Sequence, residues 1–262
     1  MFGDNRRVLG LRREEAAMLA GVSVDYYTKM ERGNLRGVSE GVLEALARGL
    51  KLDDAERAHL LDLARAAGPV PRPRRRPAKQ GVRPAVQRLL DAITGAPALV
   101  QDGRLNVLAA NQLGLALYSE MDLAPPRPAN HGRFVFLDPR ARGFFLDWER
   151  VADDTVASLR TEAGRDPHDR DLSDLVGELS MRSDEFRVRW AAHNVRAHQM
   201  GAKRFHHPVV GDLTLTYEML ELSADPGLQL LALSAEPGTP SQDALSLLGS
   251  WAATAEESHR VD

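Results

Sequence analysis

A proline- and arginine-rich run at residues 69–80 divides this chain into two parts that we expect to fold separately. Its sequence, PVPRPRRRPAKQ, interrupts five cationic residues with four prolines and has no apolar periodicity. Proline does not continue a helix interior or a central strand, so such a run is typical of a stiff, solvated linker. The sequence therefore predicts a first domain at 1–68, a linker at 69–81, a second domain at 82–250 and a tail at 251–262.

The composition excludes several classes of protein. The chain has 262 residues, of which 43% are hydrophobic and none is cysteine. The lack of cysteine excludes a disulfide framework, Cys-ligated zinc, iron–sulfur clusters and thiol catalysis. No stretch has the length and apolarity of a membrane span or a secretory signal, so we expect a cytoplasmic protein with no membrane partner.

Charge differs between the two parts of the chain. Residues 1–80 carry 16 Lys and Arg against 11 Asp and Glu, whereas residues 81–262 carry 18 against 26. A basic first part joined to an acidic remainder indicates a polyanionic partner for the first domain alone.

Four short helical patterns precede the linker, with no strand pattern among them. The first ends at Gly21, and Ser23 can cap a second helix over 24–31. A glycine that permits a sharp turn between two short helices is typical of the helix-turn-helix arrangement. Spacing places Ala16, Ala17, Leu19, Tyr27 and Met30 inward, together with Val42, Leu43, Leu46 and Leu50 of a third helix that Ser39 begins. Asp53 and Glu56 have the spacing of a capping box and open the fourth helix.

The second of these helices is the predicted reader of double-stranded DNA. Val24 can contact a thymine methyl group, Asp25 can accept from a cytosine amine, and Lys29 can donate to guanine. Neighbouring polar residues are expected to contact phosphates and set the register. The full set of expected DNA-binding residues is Arg13, Ser23, Val24, Asp25, Tyr26, Lys29, Arg32, Asn34 and Arg36. The plainer alternative is an amphipathic helix whose outer face is only solvated.

Helix and strand patterns mix after the linker and predict an α+β domain with an antiparallel sheet. Pro84 suits the first turn of a helix with Val86, Leu89 and Leu90 inward, and Asp102-Gly103 between two apolar runs indicates a hairpin. Helical patterns fill residues 139–198, and strand patterns return at 213–219 and 228–234.

Long, ordered segments of both domains resemble a known family. They are residues 9–15, 21–28, 42–48, 136–142, 148–155 and 203–215. In these segments the chain is similar to XRE-type helix-turn-helix regulators of the MmyB-like group, which are common in actinobacteria. The resemblance implies an N-terminal all-α helix-turn-helix bundle joined to a PAS-like α+β domain that senses a small apolar ligand, with fatty acids as the known class.

Two features depart from that family. Its bundle has another helix before the segment that begins at residue 9, and eleven residues before Arg12 are too few to supply it. We therefore expect either a start farther upstream or a truncated bundle that lacks its first helix. Ala109 stands where the family has tryptophan, which predicts a larger cavity or a different ligand.

Aromatic side chains of the second domain could wall an apolar pocket, with a neighbouring cation or histidine for a carboxylate. The expected ligand-binding residues are Phe134, Phe136, Phe144, Phe145, Trp148, Trp190, Lys203, Arg204, Phe205, His206 and Tyr217. The alternative is that these rings form an ordinary hydrophobic core.

Together these features predict a DNA-binding transcription regulator controlled by a fatty-acid-like ligand or a partner at its second domain. A homodimer is expected, because one small helix-turn-helix buries little DNA surface. The alternative is an interaction module that lacks autonomous DNA binding because its first helix is missing. No cofactor or metal is expected, since His206 and His207 would point to opposite faces of a strand. No nucleophile elbow or phosphate loop is present, so we do not expect an enzyme.

Overall fold

The computed structural model describes residues 11–35, 37–67, 81–121, 129–192 and 200–261. They form two compact units, of which one includes residues 11–67 and the other includes residues 81–163 and 169–261. The predicted linker at 69–81 lies almost entirely outside the described residues.

The first unit is entirely helical in its described part. Its helices are α1 (Arg13–Leu19), α2 (Val24–Glu31), α3 (Glu40–Leu50) and α4 (Asp54–Ala66). Gly21 has φ +67°, a left-handed conformation that glycine adopts without strain, and this turn separates α1 from α2.

Side-chain caps fix where three of these helices begin. The Ser23 hydroxyl accepts the Tyr26 N–H at 3.2 Å, and the Ser39 hydroxyl accepts the Val42 N–H at 3.4 Å. Asp53 and Glu56 cap each other's backbone N–H groups at 2.8 and 2.9 Å. These caps confirm the predicted helix starts, since short polar side chains satisfy N–H groups that have no partner within the helix.

The core of the first unit is small. Its buried members are Ala16, Ala17, Ala20, Tyr27, Met30 and Leu46. The prediction that Leu19 and Leu50 point inward is wrong, because they are 48% and 36% exposed. Both border a groove along α1 and the end of α3, and Leu19 lies close to Gly49 of α3, where an added Cβ would come within 2.8 Å of the Leu19 Cβ.

The second unit combines helices with one antiparallel sheet. Its helices are α5 (Pro84–Ala92), α6 (Gln112–Leu117), α7 (His131–Leu137), α8 (Ala141–Phe144), α9 (Trp148–Arg165), α10 (Arg170–Arg182), α11 (Asp184–Ala191) and α12 (Pro240–Val261). Its strands are β1 (Ala98–Asp102), β2 (Val107–Ala110), β3 (Met200–His207), β4 (Gly211–Glu221) and β5 (Leu228–Ser234). The described strands pair in the order β2-β1-β5-β4-β3, which confirms the predicted antiparallel α+β architecture.

The strand β4 buries one face, whereas β1 is buried on both faces, because α5 covers its other side. Leu213, Leu215 and Tyr217 of β4 are buried, and the residues between them are exposed. In the ladder with β3, Lys203 lies opposite Leu215 and Phe205 lies opposite Leu213. Residues opposite each other share a face, so Lys203 and Phe205 both lie on the inner side of the sheet.

The β1–β2 hairpin forms as predicted, but Asp102 shapes its turn. The Asp102 carboxylate accepts N–H groups of Arg104 and Asn106 at 2.9 and 3.0 Å. The left-handed residue is Leu105, with φ 65°. Elsewhere, the prediction that Leu89 faces inward is wrong, since Val86 and Leu90 form the buried stripe of α5 and Leu89 is exposed.

Asn111 holds the start of α6 against β1. Its side-chain oxygen accepts N–H groups from Gly114 at 2.7 Å and Ala98 at 2.9 Å, and its amide donates to two backbone carbonyls. A Cβ at Gly114 would lie 2.6 Å from the Ala98 carbonyl oxygen, so this position requires glycine. At the other end of the unit, α12 runs through residue 250, where a tail was expected.

Candidate DNA-binding helix and ligand cavity

Helix α2 presents an exposed stripe with the predicted composition. Tyr27 and Met30 are buried in the core of the first unit, and Val24, Asp25 and Lys29 are exposed on the outside. Val24 is 39% exposed, so its side chain is open to contact from outside the described unit. The stripe therefore offers an apolar group, an acceptor and a donor, the three kinds of contact that read base edges in the major groove.

The other expected DNA-binding residues differ in how exposed they are and in whether their side chains already have a hydrogen-bond partner. Arg32 and Asn34 are exposed at the end of α2, and Tyr26 is half-buried against the core. The Ser23 hydroxyl is already engaged as the cap of α2. Arg36 lies outside the described residues.

Arg13 links α1 to α2. Its Nε lies 2.5 Å from Glu31 Oε2, and this contact raises the pKa of the guanidinium. The pair is exposed, so water and salt weaken it. To contact a phosphate, Arg13 would have to leave Glu31 or share itself between the two anions.

A cavity lies in the second unit between the inner face of the sheet and α9. The cavity is small, with a volume of about 40 Å³, which is room for a few waters. The sheet and its neighbours contribute apolar side chains, including Leu99, Val107, Met219 and Leu231. Helix α9 contributes Asp154, Thr155 and Ser158, so one wall is apolar and the facing wall is polar.

Lys203 brings a cation to this cavity. Among the described residues its ammonium makes no hydrogen bond or ion pair, and its Nζ lies 5.1 Å from the centre of the Tyr217 ring. Burial lowers the pKa of Lys203 to about 8, against an opposing effect of Asp154, and Arg150 lowers the pKa further. At neutral pH most of the lysine is therefore charged and available to an anion.

Two further polar groups border the cavity. The Tyr118 hydroxyl is buried and has no hydrogen-bond partner among the described protein groups. Burial raises the pKa of Tyr118 well above its usual range, so the phenol stays protonated. Burial, with a smaller effect of Lys203, holds the pKa of His131 well below its usual value, so its ring is neutral at physiological pH.

Only two of the eleven expected ligand-binding residues, Lys203 and Tyr217, line this cavity. Five rings pack beside it in the hydrophobic core, and they are Phe134, Phe144, Phe145, Trp148 and Phe205. Phe136 lies partly buried between that core and a second cluster, and Trp190 stacks on Phe186 in the second cluster. The rings thus lie closer to the plain-core alternative than to a pocket wall.

Arg204 and His206 do not reach the cavity. Both point to the outer side of β3, because side chains alternate along a strand. Arg204 pairs with Asp147 at 3.1 Å, and His206 Nδ1 lies 2.6 Å from Asp212. Among the described residues, no group of three or more His, Asp or Glu side chains could hold a metal ion.

Sequence reasoning missed Tyr118, His131 and Asp154. Each lies within or beside a helix whose apolar neighbours dominate the pattern, and no spacing rule distinguishes a cavity-facing polar group from a surface one. The i, i+4 spacing of Asp154 and Ser158 was the one available sign of a polar stripe on α9.

Comparison with known families assigns both units. Residues 82–248 match the model of the MmyB-like transcription regulator ligand binding domain. The chain belongs to the MmyB-like transcription regulators. Residues 5–60 of this MmyB-like regulator match a helix-turn-helix domain. No curated protein is similar enough to count as a match.

The two domains make this MmyB-like protein a ligand-responsive transcription regulator. The helix-turn-helix domain implies DNA as one partner, and the ligand-binding domain implies a small molecule as the other. Together the two matches indicate a transcription regulator, a class of protein that is typically non-enzymatic. In the part of the chain that the structure describes, no helix is long and apolar enough to cross a membrane.

Proposed function

We propose that this protein places α2 in the major groove of specific DNA sites and that a fatty-acid-like ligand in the cavity of the second unit changes its affinity for them. The observation that carries the proposal is the pair of features in one chain. One is an exposed reading stripe on α2, and the other is a partly apolar cavity bordered by the ammonium of Lys203.

The exposed stripe on α2 supports two roles for the DNA-binding residues, which are contacts to base edges and contacts to the DNA backbone. Val24, Asp25 and Lys29 would read base edges, since they are exposed on one face of α2. The remaining residues would contact the backbone and set the register, with Arg13 exchanging Glu31 for a phosphate. These backbone-contacting residues are Arg13, Ser23, Tyr26, Arg32, Asn34 and Arg36.

The cavity supports an acid with an apolar tail. A carboxylate would lie against Lys203, and the tail would lie against Leu99, Met219 and Leu231. Because the cavity is narrow, a long tail requires Met121 and Met219 to change rotamer, which unbranched methionine side chains do easily. The ligand can control DNA binding only if its affinity differs between two states of the protein.

The proposed protein is a cytoplasmic homodimer of the XRE type with a PAS-like second domain. An antiparallel five-stranded sheet with helices on its buried face supports the PAS-like assignment. Dimerisation follows from the small DNA surface that one helix-turn-helix can bury.

The alternative function is an interaction module without DNA binding of its own. One observation favours it. Leu11, Leu19 and Leu50 are exposed along the groove beside α1 and the end of α3, and a partner could cover them.

Retention on DNA separates the two functions. The full-length protein is mixed with fragmented genomic DNA of its host, and the fragments retained at about 50 mM and about 200 mM salt are sequenced and their affinities measured. With Arg13, Arg32 and Arg36 of two protomers on phosphates, log K should fall with log salt at a slope of about −5. Retention without sequence enrichment, or no retention at either salt concentration, contradicts the regulator and favours the interaction module.

A further inference from the structure

The cavity has more polar side chains than a ligand with one carboxylate and a plain hydrocarbon tail could pair with. Asp154, Thr155 and Ser158 line it from α9, and Tyr118 and Lys203 border it from the other elements. The Thr155 and Ser158 hydroxyls donate to carbonyls one turn earlier in α9, at 2.7 and 2.9 Å, and can still accept hydrogen bonds from a ligand.

Tyr118 is the most informative of these residues. It is 1% exposed, and its hydroxyl has no partner among the described protein groups. Its ring packs edge-on against Phe205 with centroids 6.0 Å apart and lies 6.1 Å from Phe144. This packing holds the ring in place, and Tyr118 lines the cavity, so a group bound there can supply the partner that the hydroxyl lacks among the described residues.

Lys203 is a second cavity residue whose polar group lacks a hydrogen-bond or ion-pair partner among the described residues. Its ammonium borders the same cavity and makes no hydrogen bond or ion pair in the described part of the chain. The ammonium of the partly buried Lys203 and the buried hydroxyl of Tyr118 both cost free energy unless a partner satisfies them. A ligand that satisfies only one of them leaves the other against apolar atoms or a trapped water.

We propose that the ligand is a compact carboxylic acid with a second oxygen function, either a hydroxyl or a carbonyl. Its carboxylate pairs with Lys203, its second oxygen hydrogen-bonds to the Tyr118 hydroxyl, and its carbon skeleton lies on the apolar side of the cavity. This inference rests on the proposed ligand-binding function and narrows the ligand class from plain fatty acids to oxygenated acids.

Matched probes test the second oxygen directly. Affinities of the full-length protein are measured by titration calorimetry for octanoate and for octanoate with a hydroxyl on its β carbon or on its terminal carbon. At least one hydroxylated probe should bind about three- to tenfold more tightly than octanoate, which is the net effect of one hydrogen bond. Tyr118→Phe should remove this preference, because it removes the hydroxyl alone.

Two further variants complete the design. Tyr27 is a buried tyrosine of the first unit, so Tyr27→Phe is a matched control for losing a buried hydroxyl. This variant should keep the preference for the hydroxylated probe. Lys203→Met should weaken all three probes. If octanoate and both hydroxylated probes bind equally, or if Tyr118→Phe retains the preference, the oxygenated class is wrong and the proposed function stands. If none of the probes binds, both proposals are wrong.

Discussion

Lys203 should destabilise the ligand-free protein at neutral pH, so replacing it should stabilise the fold. Burial lowers its pKa from 10.5 to about 8. Each pKa unit corresponds to about 1.4 kcal/mol, which gives an upper limit of about 3 kcal/mol. Because the Lys203 side chain is only partly buried, we expect about 1–3 kcal/mol. Lys203→Met keeps the length of the side chain and removes the charge.

The pH dependence gives the sign of this effect. The pKa of the folded state lies below that of the unfolded state, so the unfolded chain binds more protons between pH 8 and 10.5. Stability of the natural protein should therefore be penalised fully below pH 8 and should recover as the pH rises towards 10.5. The advantage of Lys203→Met should be largest at pH 7 and should disappear above about pH 10.5.

Urea unfolding of the full-length protein from pH 6.5 to 10.5 measures this difference. Arg204→Met is the control, because Arg204 is the next residue of β3 and lies on its outer face. The control should change stability little and without this pH dependence. If Lys203→Met is less stable than the natural protein at pH 7, or if the difference does not change with pH, the description of Lys203 as a partly buried cation without an ion pair is refuted.

Three other predictions follow from the same structure. Affinity for octanoate should fall about tenfold from pH 7 to pH 9 by calorimetry, because the charged fraction of Lys203, with a pKa of about 8, falls from about nine-tenths to one-tenth. A constant affinity would show that the lysine does not hold the carboxylate. Lys29→Ala should change relative affinities among DNA sequences by about 1–3 kcal/mol. Arg13→Ala should lower the affinity for all DNA sequences equally and reduce the slope of log K against log salt by about one. Identical behaviour of the two variants in anisotropy titrations would refute these roles. Gly114→Ala should destabilise the second unit by about 1–3 kcal/mol in thermal unfolding, because its Cβ would approach the Ala98 carbonyl to 2.6 Å, and an unchanged midpoint would contradict that contact.

Local signals in the sequence predicted much of the fold. Ser23, Ser39 and Asp53 cap helices where short polar side chains precede helical patterns. The alternation in β4 predicted its buried face, because a strand with one solvated face repeats every two residues. These features depend on neighbours in the sequence, so they can be recognised without the tertiary structure.

Features that depend on distant contacts were not predictable in the same way. Leu19 and Leu50 follow the helical period, yet both are exposed along a groove, and Leu19 lies against Gly49 of α3, which has no side chain to cover it. The strand β3, with sequence MGAKRFHH, mixes polar and apolar residues, and only its pairing with β4 shows that Lys203 faces inward. Tyr118 resembled an ordinary core residue, and its unsatisfied hydroxyl is visible only once the cavity around it is known.

The central claim is that acid binding in the cavity controls DNA binding, and it is tested most directly by measuring whether each ligand changes the affinity for the other. DNA affinity of the full-length protein is measured with and without saturating octanoate, or the oxygenated probe that binds best, and acid affinity is measured with and without the enriched DNA site. A ligand-controlled regulator should show the same change in both experiments, on the order of 5- to 150-fold, and Lys203→Met should lose it at the same acid concentration. If DNA and acid both bind and neither changes the affinity for the other, the cavity does not control DNA binding and the central claim is wrong.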